Sequence, residues 1–111
     1  MSKTSVAKFN IGQVIRHRVH AFRGVVFDVD PQFADGEVSY ETINLIEGRQ
    51  RKDQPFYYLL AENEQAPYVA YVSEGNLLAD TSDEPVSHPQ VDAMFERDEY
   101  GGYRRRRARL N

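Results

Sequence analysis

The 111-residue chain contains no cysteine. That excludes disulfides and every cysteine-based zinc or iron–sulfur site, and it suits a reducing compartment. Long apolar runs are also missing. The longest are a few residues, far short of the roughly 20 that a membrane-spanning helix needs. Met1–Asn10 lacks the apolar stretch of a secretory leader, so a soluble cytoplasmic chain is expected. No Gly-x-Ser-x-Gly elbow and no phosphate-cradling glycine loop occurs, so enzymatic activity is not expected, and no internal repeat is visible.

What is present is charge, unevenly placed. The formal net charge is −3, from 14 basic and 17 acidic residues. Five of the basic residues are Arg104, Arg105, Arg106, Arg107 and Arg109, so residues 1–103 carry 9 − 17 = −8 and the end of the chain returns +5. Asp80 to Glu99 is acidic throughout, with Arg97 its single basic residue. A body of this sign repels DNA at long range.

Period-two alternation and turn residues predict a mostly β chain. Phe9–Arg18 reads as a first strand and Arg23–Asp30 as a second, with Val25, Phe27 and Val29 on one face and Pro31 ending it. Residues 31–54 form a long connection, in which Ser39–Glu47 suits one or two helical turns before Gly48. Phe56–Glu62 and Tyr68–Val72 read as strands three and four around a hairpin loop, and Leu77-Leu78 as a short closing strand. The expected architecture is a small SH3-like or OB-like barrel of about five strands over residues 8–80. Residues 81–111 are expected as an acidic linker, with a helical turn near Val91–Glu96, and a mobile arginine-rich tail.

Several side-chain groups carry chemistry. His17 and His20 have the spacing of a metal pair but no further sequential ligand, so a solvated hairpin is the expectation and metal is not. Asp28 and Asp30 share a strand face and read as a polar surface rather than an acid–base pair. Arg16, Arg18 and Arg23, joined by Arg49, Arg51 and Lys52 if the long loop folds back, are either a solvated face or phosphate contacts. Alternation places Phe56 and Tyr58 opposite Tyr57, and Tyr68 opposite Tyr71. About half of these rings are core, and the others are a stacking platform or a docking surface.

The motifs Lys8-Phe9-x-Ile11-Gly12-Gln13-x-Ile15-Arg16-His17, Gly24–Pro31, Pro55-Phe56-Tyr57-Tyr58 and Tyr71-Val72-Ser73-Glu74-x-Asn76-Leu77 stand here in this order. Together they resemble the HspQ family, heat-shock proteins also called hemimethylated-DNA-binding or YccV-like proteins. The resemblance implies a small β-barrel that forms homo-oligomers, trimers among them, with no cofactor and no catalytic residue. It also implies two activities: binding of hemimethylated DNA linked to control of the replication initiator, and a role with the Lon protease as substrate and specificity factor.

Combining both lines gives a leading expectation of a non-enzymatic stress protein, an adaptor that modulates degradation of denatured proteins by Lon protease. Tyr103, Arg104, Arg105, Arg106, Arg107 and Arg109 are the expected tail element for that role. The alternative expectation is a module preferring hemimethylated DNA. Arg16, His17, Arg18, Arg23, Tyr57 and Tyr71 are the candidate nucleic-acid or partner contacts.

Overall fold

The computed structural model describes residues 7–33, 53–63, 65–82, 84–97 and 102–106. The chain is mostly β, as expected. β1 (Val14–His17), β2 (Arg23–Asp30), β3 (Phe56–Glu62), β4 (Pro67–Ser73) and β5 (Leu77–Ala79) form one antiparallel sheet. Its order is β4-β3-β2-β1-β5, so β4 and β5 are its two edges and the ladder does not close into a barrel among the described residues. A single 3₁₀ turn, Glu74–Asn76, joins β4 to β5. The helical turns expected at Ser39–Glu47, and Arg49, Arg51 and Lys52, lie outside the described residues.

The first strand is shorter than the sequence suggests. Gly12 interrupts it with a φ of +88°, a left-handed conformation that glycine adopts without steric cost. Its N–H donates to the Val26 carbonyl at 2.7 Å, which fixes the turn against β2.

A β-bulge alters the second strand. Pairing with β3 passes from Val26↔Leu59 to Asp28↔Tyr58, leaving Phe27 as the extra residue. Strict alternation groups Val25, Phe27 and Val29. In the structure the bulge separates them: Val25 and Phe27 pack on one face, Val26 and Val29 on the other.

Both faces of the sheet are therefore covered. One core contains Phe9, Ile15, Val26, Tyr57, Leu59 and Val72. The second contains Val25 and Leu60 from the sheet, covered by Val86, Val91, Phe95 and Tyr103. Those last four side chains come from the segment expected to be a linker and mobile tail. It instead builds α1 (Pro89–Met94), β6 (Phe95–Arg97) and β7 (Tyr103–Arg105), with β6 and β7 paired as a small ribbon. The acidic composition conceals four well-spaced apolar anchors, each at most 9% exposed. Burying side chains of this kind contributes about 1.5–3 kcal/mol each, enough to hold a polar segment in place. His88 caps α1 by accepting the Gln90 N–H at Nδ1 (3.1 Å), with Pro89 at the first helical position.

Candidate functional site

The register sets one row of side chains across the second face: Leu78 opposite Arg16, Arg16 opposite Arg23, Arg23 opposite Glu62. Side chains directly opposite in an antiparallel ladder share a face, and like charges there repel. Arg23 resolves the conflict by directing its charge elsewhere. Its Nη2 meets Asp80 Oδ2 at 2.8 Å and its Nη1 lies 3.5 Å from Glu62 Oε1. The guanidinium also donates to the Glu84 and Pro85 carbonyls. Arg23 is thus the clamp that carries the chain from β5 toward the second core, and Glu62 assists by accepting the Ser87 N–H at 2.8 Å.

Arg16 differs. It is exposed, and it has no ion-pair partner among the described residues. It borders an open groove of about 360 Å³, shared with His20, Phe22, Arg23, Glu62 and Asn63. Arg18, just beyond β1, is exposed and bound to the 3₁₀ turn. Its backbone N–H donates to the Asn76 carbonyl at 2.9 Å, and its Nε reaches Asn76 Oδ1 at 3.4 Å.

The remaining candidates divide sharply. His17 is buried at 4% exposure, and its Nδ1 accepts the N–H groups of Val19 (3.0 Å) and His20 (2.9 Å). It shapes the β1–β2 turn from within. Tyr57 is fully buried. Its hydroxyl accepts the Lys8 and Phe9 N–H groups (3.0 and 3.1 Å) and donates to Glu74 Oε2 at 2.6 Å. Burial first, then the hydrogen bond to Glu74, pushes its pKa up to about 12. Tyr57 is a core residue that ties the N-terminal segment to the 3₁₀ turn, because its position on β3 points it into the first core.

Tyr71 is half-buried on the other face. Its hydroxyl donates to Asp30 Oδ2 at 2.9 Å, and its ring packs against Tyr58 (4.5 Å) and Phe56 (5.3 Å). Alternation therefore divides the rings as expected, with Tyr57 in the first core and Tyr58 and Tyr71 on the opposite side.

The C-terminal candidates are engaged by the fold. Tyr103 is 9% exposed, and its hydroxyl accepts the Val86 N–H at 3.1 Å. Arg104 pairs with Glu96 at 2.9 Å on the surface. Arg105 donates to the carbonyl of the bulged Phe27 at 2.7 Å, and Arg106 to that of Asp92 at 2.7 Å. Arg107 and Arg109 lie outside the described residues.

The structure thus brings Arg16, His20 and Arg23 around one groove, with Arg18 at the adjoining turn. Sequence reasoning missed Phe22, Glu62 and Asn63 as its other walls, since they come from the start of β2 and the end of β3 and only the pairing unites them. No helix among the described residues is long and apolar enough to cross a membrane. Compared with known families, residues 7–102 match the model described as "Hemimethylated DNA-binding protein YccV like".

Proposed function

The chain belongs to the YccV-like family, whose model spans most of its length, and on that premise we propose that it is a DNA-binding module selecting hemimethylated duplex. Arg16 carries this reading. It is a strand-borne cation facing a second arginine whose charge is already matched, and it stands exposed at the edge of a groove. A rigid strand fixes its position, and a guanidinium presents the donor fork that suits a phosphate. Arg18 supplies a second cation at the neighbouring turn. Phe22 adds apolar surface within the same groove, and an added methyl group on one strand is read by apolar contact of that kind.

The acidic balance does not preclude this role. Around the groove, Arg16, Arg18 and Arg23 set three positive charges against the two carboxylates of Asp80 and Glu62, a local balance of 3 − 2 = +1, with Arg16 and Arg18 the exposed cations.

The adaptor reading, in which the chain serves Lon protease and denatured proteins, has less support. It relies on an accessible C-terminal element, whereas Tyr103 is buried and Arg104, Arg105 and Arg106 hold partners within the fold. Assembly into homo-oligomers is compatible with either reading.

The test is duplex affinity over a salt series. Removing one phosphate-binding cation should lower the salt slope by about one. Arg16→Ala is expected to reduce both affinity and slope while leaving thermal stability intact. An unchanged slope would remove Arg16 from the interface and this reading with it.

A further inference from the structure

Arg16 to Arg23 holds three arginines, two histidines and no carboxylate, and the first acidic residue of the chain is Asp28. Strand pairing at this end of the sheet stops at His17↔Leu77 and Arg23↔Glu62. Arg18 to Phe22 therefore form the turn beyond the ladder, and Arg18, Val19, His20 and Ala21 are all exposed. His20 and Ala21 border the same open groove as Arg16.

Val19 in this turn is 71% exposed, more than any other large apolar side chain among the described residues. A single exposed valine is ordinary on a protein surface. The frame that holds this one is not. The buried His17 ring accepts the Val19 and His20 N–H groups at one nitrogen, Nδ1 (3.0 and 2.9 Å). The His17 N–H donates to the Phe22 carbonyl at 3.1 Å, and the Phe22 N–H to the His20 carbonyl at 2.9 Å. The Arg18 N–H donates to the Asn76 carbonyl at 2.9 Å, which anchors the turn to the neighbouring 3₁₀ turn. Every backbone N–H from His17 to His20 is thus satisfied within the fold. A turn ordered in advance loses less conformational freedom when it binds. Phe22, by contrast, is half-buried, with its ring 5.1 Å from His17 and 5.8 Å from Tyr68, so it is set back toward the first core.

Duplex DNA is the occupant that this chemistry fits. The major groove admits a two-stranded β-ribbon, and the edges that carry adenine N6 and cytosine C5 both lie in it. Its phosphate walls suit the cations of the turn. We propose that the β1–β2 turn enters the major groove and that Val19 makes the apolar contact with the added base methyl group, while Arg16 and Arg18 meet flanking phosphates. The assignment rests on the DNA-binding reading and goes beyond it in naming the element that reads the methyl group.

The experiment measures the affinity of the full chain and of Val19→Ala, at one salt concentration, for three duplexes of one sequence. One is unmethylated, one carries N6-methyladenine on a single strand, and one carries 5-methylcytosine on a single strand. The parent is expected to prefer a methylated duplex about fourfold or more, the ratio that burying one methyl-sized group produces. Val19→Ala should lower that preference by about fourfold and change affinity for the unmethylated duplex by less than about twofold. The duplex on which the preference is lost identifies the methylated base. In the parent complex, a nuclear Overhauser effect between the Val19 methyl groups and the added base methyl group is expected. A preference that Val19→Ala leaves intact, or a bound complex without that effect, would overturn the assignment and leave the DNA-binding reading standing. An equal loss on all three duplexes would make Val19 a general contact and overturn its role in reading the methyl group. A parent that binds none of the duplexes would remove both readings.

Discussion

The carbonyl of Gly12 accepts the N–H of Tyr103 at 3.2 Å, joining a turn near the start of the chain to the ribbon near its end. The approach is so close that a Cβ built on Gly12 would lie 2.0 Å from the Tyr103 carbonyl oxygen. The backbone there also has a φ of +88°, which side-chain-bearing residues adopt only under strain.

Gly12→Ala is therefore expected to destabilise the protein by at least ~2 kcal/mol, combining strain with displacement of β7. Thermal unfolding should show a fall in Tm of roughly 8 °C or more. A melting temperature within a degree or two of the parent would contradict the docking of the ribbon against Gly12.

Arg23 gives a second expectation. Arg23→Met keeps an apolar stem but leaves Asp80 and Glu62 without their cation and two carbonyls without a donor. The pair is only partly shielded, with Arg23 at 19% and Asp80 at 8% side-chain exposure, so a loss of about 1–3 kcal/mol is expected. Hydrogen exchange should quicken most at Val86 and Ser87, the amides that the clamped segment presents to Tyr103 and Glu62. By contrast Arg104→Ala, at an exposed pair, should change stability by no more than about 0.5 kcal/mol.

Tyr57 makes the stability of the fold sensitive to alkaline pH. Its folded pKa is raised from 10.0 to about 12, so the folded state holds this proton more tightly than the unfolded one. The contribution is fully present below pH 10 and is lost as pH rises through 12. Denaturant unfolding of the parent and of Tyr57→Phe should show a gap that narrows between those values. Near neutrality the variant should be less stable by about 1–3 kcal/mol, because two N–H groups and the Glu74 carboxylate lose their shared partner.

Much of the sheet was legible in the sequence. Arg23–Asp30 and Phe56–Glu62 form strands with the expected bounds, since β-branched and aromatic residues alternate between turn signals there. The bulge at Phe27 was not legible, because period two gives no sign of one inserted residue. Nor was the second core. Val86, Val91, Phe95 and Tyr103 are scattered through acidic sequence, and their common destination follows from tertiary contact with Val25 and Leu60. For the same reason Arg23 and Tyr57 read as surface candidates when their partners, Asp80 and Glu74, are 57 and 17 residues away. Arg16 was legible as a cation on a strand. Its distinction from Arg23 depends on which arginine finds carboxylates, and that is a property of the fold.

Selection of methylation state is the most demanding consequence of the DNA-binding reading. The measurement is the affinity of the full chain for one duplex prepared with neither, one or both strands methylated, at a fixed salt concentration. Tighter binding to the singly methylated duplex than to both others, reduced for all three by Arg16→Ala, is the expected result. Equal affinity for the three, or binding that Arg16→Ala leaves unchanged, would contradict it.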